Sequence, residues 1–378
     1  MSREDVPLSV LDLVPVSSGG SAAGALRNTL DLARRAEEFG YRRYWVAEHH
    51  AAPGVAGSAP ALVLSMIAGV TGRIRIGSGA VQLGHHTPLS VVEQFGMIDA
   101  LHPGRVDLGL GRSGGGSGPP GGGPAARPAP RSDRYVDGLL VPAPYPLERY
   151  AASPRFAAQS RLLNPSGAAP QDYGRAVDDI AALIAGTYVS PEGVDVHAVP
   201  GEGAALQVWV FGSSAGESAR VAGARGLRFA ANYHASPGTV LDAVGAYLAA
   251  FRPSAELARP HVLVSADVLV AQDDATARRL ADGFEPWVRS IRADGAAMRY
   301  PAPGQAAGQP WTDEDRALVA DRVRTRFTGS PKRVVDGLRA LRRATGADEL
   351  LITTLAHDHA DRVRSYELLA RAWESERA

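Results

Sequence analysis

Short β-type runs alternate with helical stretches along most of this chain, and few folds satisfy such an alternation. The runs are LSVLDLV (8–14), YRRYWVAE (41–48), RIRIGSGAVQL (73–83), RVDLGLG (105–111), ALQVWVFG (205–212), GLRFAAN (226–232), PHVLVSADVLVA (260–271) and DELLITT (348–354). Between them lie helical patterns. Leu26, Leu30, Ala33 and Ala36 share one face of a helix that stops at Gly40, and Val91, Phe95 and Ile98 mark another that ends before Pro103-Gly104. Val363, Tyr366, Leu369 and Trp373 give the last helix its apolar face. A βαβ order calls for parallel strands with crossover helices. Eight such strands predict an α/β fold, a TIM-type (β/α)₈ barrel, with an open doubly wound sheet as the alternative.

The alternation lapses twice, predicting insertions after strand four (113–170) and after strand seven (285–325). The first opens with SGGGSGPPGGGPAARPAPRS, too rich in glycine and proline for a packed element. The second holds PAPGQAAGQP and an acidic helix start, and reads as a lid. The whole chain, 1–378, is expected to be one domain.

Composition excludes several classes of function. Forty basic residues balance forty acidic ones, so no electrostatic footprint for nucleic acid or anionic membrane exists. Without cysteine there are no disulfides, thiolate metal sites or cysteine nucleophiles. The acidic start, MSREDVPLSVLDLVP, lacks a signal-peptide pattern, and no apolar stretch reaches the length of a membrane span. A cytoplasmic enzyme is the expectation.

Active sites of such barrels sit at the C-terminal ends of the strands. The polar oddities fall there: Glu48-His49-His50, Gly79-Ala80, Gly111-Arg112-Ser113, Gly212-Ser213-Ser214 and Asn232-Tyr233-His234. Adjacent strand residues point to opposite faces, so His49 and His50 do not readily share a metal ion, and no HExxH spacing is present. That leaves His49 as a backbone-capping residue or as an acid, base or hydrogen-bond donor at the mouth. Gly109 to Gly114 spells G-x-G-x-x-G, yet it opens a glycine/proline tract where a dinucleotide site needs a helix. Arg112 suits a phosphate or carboxylate, or is a surface arginine. VWVFGSSAGESARVAG runs a strand through a Gly-Ser-Ser turn into a small-residue helix, which is either a phosphate cradle or an ordinary N-cap. Glu217 in its first turn would cap the helix, and would also repel a phosphate placed too near.

Taken together, YWVAEHH, RIRIGSGAVQLGHHTPLSVVEQFGMIDALHPGRVDLGLGRS, VWVFGSSAGESARVAGARGLRFAANYH and TGSPKRVVDGL…TGADELLITT resemble the bacterial luciferase family of flavin-dependent monooxygenases, and most of all its group 1 of uncharacterised bacterial oxidoreductases. The resemblance covers roughly residues 8–112, 205–270 and 327–373. It implies His49 as the catalytic histidine, preceded by Glu48, and a non-prolyl cis peptide at Gly79-Ala80 against the flavin. It also implies Arg112 on the FMN phosphate, with Ser213, Ser214 and Ser218 in the second phosphate-binding segment. Gly111 stands where light-emitting members carry a cysteine, which argues against bioluminescence and leaves room over the ring. The implied chemistry is reduced FMN plus O₂ giving a flavin C4a-peroxide that oxygenates a small organic substrate, in bacterial secondary metabolism. A separate NAD(P)H:flavin reductase would supply the flavin in a two-component system, and no metal takes part. F420-dependent hydride transfer, or flavin binding without turnover, are the alternatives on the same scaffold. Pocket walls are expected from the two insertions and from Val16, Gln82, Tyr233 and their neighbours. A homodimer is implied, packed through helices two and three around Val91, Phe95 and Ile98.

Overall fold

In the computed structural model, which describes residues 6–112, 132–145, 154–164, 171–305 and 310–375, eight parallel strands close into a barrel. They are β1 (Leu8–Asp12), β2 (Arg43–Val46), β3 (Arg75–Ser78), β4 (Val106–Gly111), β5 (Gln207–Gly212), β6 (Arg228–Asn232), β7 (Val262–Val270) and β8 (Glu349–Thr353). Each pairs with its neighbours in sequence, and β8 returns to β1. The strands read as near-continuous apolar runs because both faces are covered, the outer one by helices. All eight lie within the runs expected from sequence.

Alternate residues of each strand point to the barrel axis. At the N-terminal end they form a polar plug. Arg43, buried, pairs with Asp107 at 2.7 Å and Glu349 at 3.0 Å and lies 4.9 Å from the Trp209 ring. Asp107 also takes Arg75 at 2.6 Å and the Trp45 indole N–H at 2.9 Å, while Ser9 donates to Glu349. One layer up, Trp45, Trp209 and Phe211 fill the bore with ring centroids 5.1–5.4 Å apart. Glycine on the neighbouring strands makes the room. A Cβ at Gly77 would sit 2.5 Å from the Asp107 carbonyl, and one at Gly109 2.1 Å from that of Ser78.

The first helix, Ala22–Glu38, departs from its expected stripe. Leu26 and Leu30 are half-buried, whereas Thr29 and Leu32 are wholly buried, because Thr29 donates a 2.6 Å hydrogen bond to buried Asp12 of β1. In the helix Pro88–Leu101, Val91, Phe95 and Ile98 are buried within the chain's own core, where this helix packs on the barrel and on Tyr173–Ala185. They cannot form a subunit contact. What this helix and its neighbour Pro60–Ala68 expose is Leu62, Met66, Leu89, Met97 and Leu101.

Most of the first insertion lies outside the described residues. Its described parts include an antiparallel hairpin, Arg134–Val136 with Leu139–Val141, which the composition did not announce. Asp137 and Gly138 both take positive φ, 49° and 82°, as a tight two-residue hairpin turn requires. The second insertion forms helices Phe284–Asp294 and Asp313–Thr325, tied by Arg289–Asp315 and Arg292–Asp321 ion pairs. Phe284, Trp287, Val288 and Val319 join the cluster inside the barrel, so this insertion packs on its C-terminal rim. It leaves from the end of β7 and returns through Phe327–Gly329, which pairs with Val268–Val270 of that strand. No helix among the described residues is long and apolar enough to cross a membrane.

Candidate active site

At the C-terminal rim the strand ends enclose a cavity of about 440 Å³. Its lining includes Glu48, His49, Gly79, Ala80, Gly111, Arg112, Ser213, Ser214 and Ser218, all nine site residues that the resemblance implied, contributed by the ends of β2 to β5 and the helix after β5. Leu11, Leu13, Ala47 and Phe211 add apolar surface, and Gln82, Glu217, Asn232 and His234 add polar groups.

His49 and His50 diverge. His50 turns back to Glu48, Nε2 to Oε1 at 2.8 Å, whereas His49 is held by its backbone N–H on the Gly57 carbonyl at 2.8 Å, and its ring stands in the lumen. Among the described residues nothing hydrogen-bonds that ring. The protein mass around it pushes its pKa down to about 4 against the opposing pull of Glu48. Because the ring is exposed to the lumen, solvent offsets part of that depression while the cavity is open. The imidazole is neutral at neutral pH.

Glu48 is buried and fully engaged. Besides His50 it accepts from His86 Nε2 at 2.9 Å and the Gln82 backbone N–H at 3.0 Å, and the Gln82 amide donates to its carbonyl at 2.7 Å. Burial alone would raise its pKa. The bonds from His86, His50 and Gln82 outweigh that and hold it low, and the bond to Glu48 raises His86 in turn. Glu48 therefore locks the loop after β2 to the loop after β3. The Gly79–Ala80 peptide, at the head of the latter loop, is cis. Gly111 lies beside it, and a Cβ there would meet that of Ala80 at 3.2 Å.

Arg112 stands at the far rim with Ser213, Ser214 and Ser218. The Gly-Ser-Ser turn is fixed from outside, since Thr239 Oγ1 donates to the Ser213 carbonyl at 2.5 Å. The helix that follows, Glu217–Ala224, has Gly216 at its N-cap with no side-chain cap, so the first-turn N–H groups keep their capacity for an anion. Glu217 bonds Arg112 at 2.9 Å, both half-exposed, and so occupies the guanidinium that a phosphate would need.

Two expected wall residues are elsewhere. Val16 packs in the core outside the barrel, and Tyr233 points away, its hydroxyl on the Leu140 carbonyl at 2.7 Å and its ring stacked on Phe327. Gln82 lines the cavity as expected. His234, the neighbour of Tyr233, had no role assigned from sequence and lines the cavity in its place.

Residues 6–139 and 179–349 match the family model of luciferase-like monooxygenases. The chain belongs to that family. Among its relatives is the luciferase-like monooxygenase of Escherichia coli (strain K12), 32% identical over 97% of both chains. Protein YvbT of Bacillus subtilis (strain 168) is 35% identical over 99% of this chain and 98% of its own. The crystal structure of apo-MsnO8 superposes with a TM-score of 0.77 at 31% identity, covering 98% of each chain. More distant structures share the fold alone. They include the oxygenating constituent of 3,6-diketocamphane monooxygenase from Pseudomonas putida in complex with FMN (TM-score 0.62, 19% identity, 98% and 99% covered). Another is the F420-dependent tetrahydromethanopterin reductase of Methanopyrus kandleri (0.61, 13%, 98% and 99%).

Proposed function

We propose that this chain is the oxygenating component of a two-component system. It takes FMN reduced by a separate NAD(P)H:flavin reductase and uses O₂ to oxygenate a small organic substrate of bacterial secondary metabolism, in the cytoplasm. The observation that carries this reading is the polarity of this cavity. One rim holds an arginine, three serine hydroxyls and an uncapped helix start, and the other holds a neutral, unpartnered imidazole.

The donor set fits a phosphate monoester. Arg112, Ser213, Ser214, Ser218 and the first-turn N–H groups would hold it. The side-chain-poor shelf of Gly79, Ala80 and Gly111 would carry a flat ring. Bound reduced FMN would supply the two electrons that activate O₂, one atom of which goes to the substrate and the other to water. The chain's own part is to orient the ring, to exclude water with the helices on the rim, and to hold or move a proton at His49. Glu48 positions the His49 loop. For assembly, the exposed apolar faces of Pro60–Ala68 and Pro88–Leu101, with Leu62, Met66, Leu89, Met97 and Leu101, would bury one another across a two-fold homodimer.

The F420-dependent neighbour motivates one alternative, hydride transfer without oxygen. Rapid mixing of photoreduced FMN with aerated buffer separates them. The protein should delay recovery of the oxidised-flavin absorbance at least tenfold relative to free flavin, because a closed dry site slows the collapse to peroxide that water permits. Unchanged recovery with tight F420 binding would establish the alternative, and flavin uptake without delay would leave a binding protein.

A further inference from the structure

We propose that His234 is the hydrogen-bond acceptor that holds a protic group of the substrate, a hydroxyl, thiol or N–H, across the cavity from His49. This assignment rests on the cavity being the oxygenation site. His234 follows β6, which lies four strands from β2 in either direction around the closed barrel, so the two imidazoles face each other over the mouth.

The tautomer follows from a short chain of hydrogen bonds. His234 Nδ1 lies 2.6 Å from Ser265 Oγ. The Ser265 hydroxyl has one proton, and the Ala231 carbonyl, 3.3 Å from Oγ, offers it an acceptor other than Nδ1. With that proton on the carbonyl, Ser265 accepts from Nδ1–H and Nε2 is a bare lone pair, which is the tautomer we assign. Among the described residues Nε2 has no partner, and the ring lines the cavity. The backbone on either side is fixed. β6 and β7 pair Asn232 with Ser265, and Arg322 Nε donates to the His234 carbonyl at 2.9 Å while its Nη2 holds Asp267 at 3.1 Å.

The charges facing the ring keep it an acceptor. Burial is the main influence, pushing its pKa down to about 4. Arg322 and His49 act in the same direction, and Asp267 opposes them. An imidazole that stays unprotonated and has spent its only N–H on serine can receive a proton donor and cannot offer one. An ether, ester or hydrocarbon gains nothing from it. A substrate whose hydroxyl or N–H reaches Nε2 gains a bond and a fixed orientation relative to His49.

The test uses the full chain labelled with [¹⁵N]histidine, with His234→Gln assigning the resonance. 4-Nitrophenol serves as the protic probe and 4-nitroanisole as its capped counterpart. His234 should show the Nδ1–H tautomer, lost on Ser265→Ala, and its Nε2 resonance should move with 4-nitrophenol and not with 4-nitroanisole. His234→Phe should weaken 4-nitrophenol about 3–10-fold. His234→Gln, whose amide N–H can face Ser265 while its carbonyl faces the cavity, should restore most of that. Riboflavin and FMN affinities should be unchanged in both variants. An Nε2–H tautomer, an Nε2 indifferent to the phenol, or a flavin affinity that falls with His234→Phe would each overturn the assignment, the last by placing the residue on the cofactor. If the tautomer and probe response hold while reduced FMN recovers at its free rate, the oxygenation reading fails and the acceptor stands.

Discussion

The two ends of the barrel interior use the same kinds of side chain in opposite ways. At the N-terminal end Arg43, Asp107, Glu349 and Arg75 satisfy one another, sealed beneath Trp45 and Trp209. At the C-terminal end, among the described residues, the His49 ring has no hydrogen-bond partner, His234 keeps a free nitrogen, and the helix start at Gly216 has no side-chain cap. Charges fully compensated in a dry interior give a fixed shape, and their removal is felt as instability. Polar groups left with unspent capacity at a wet rim contribute little to folding, and their removal is felt in binding and chemistry. The difference teaches where to look for function in such a barrel: at the unspent groups.

Substitutions that separate folding from turnover test that contrast most severely. His49→Ala should leave the melting transition and FMN binding in place while turnover falls by ~10²–10⁴. Oxygenated product per reduced flavin is the readout, and near-normal coupling would return His49 to a structural role. At the other end Arg43→Ala should cost about 3–5 kcal/mol of stability, since it strands Asp107 and Glu349 without their shared cation. Denaturant unfolding measures this, and a loss below 1 kcal/mol would show that the plug is dispensable.

The phosphate rim gives a smaller effect. Arg112→Ala should weaken FMN about 10–100-fold, the worth of one or more charged hydrogen bonds, and leave riboflavin within twofold. Glu217→Gln should act oppositely and strengthen FMN roughly two- to fivefold, because it removes an exposed competitor for the guanidinium. Equal losses for FMN and riboflavin in calorimetric titrations would assign Arg112 a structural part.

The mildest test is pH. His234 is held near 4 in the fold and His49 below its ordinary value, so as pH falls from about 6.5 the unfolded chain takes up protons that the fold refuses, and stability falls. Glu48, held low, adds to that loss as the medium nears its folded pKa. His86, raised by Glu48, contributes stability fully below its ordinary value and loses it as pH rises through its folded one. Melting temperature should therefore decline on the acid side, and His86→Gln should flatten the neutral-to-alkaline limb.

The barrel was legible because each strand carries its own apolar run, and most of the cavity lining was legible because it clusters at strand ends. What escaped depended on contacts far apart in sequence. His234 looked like any strand-end histidine, since its acceptor nitrogen is set by Ser265, thirty-one residues on. The helix Pro88–Leu101 is apolar on two faces, and its spacing alone does not say which one meets the barrel. The hairpin at Asp137-Gly138 carried a readable turn signal beside a glycine/proline tract that overshadowed it.

The insertion that packs on the rim departs and returns through adjacent rungs of one strand, since Phe327–Gly329 lies alongside Val268–Val270. Both its ends are thus moored at one point on the circumference. A segment moored in this way behaves as a cassette. It can be lengthened, trimmed or swapped without changing strand number, tilt or register anywhere in the barrel. What the cavity admits can therefore drift through evolution while the groups around His49 and Arg112 keep their places.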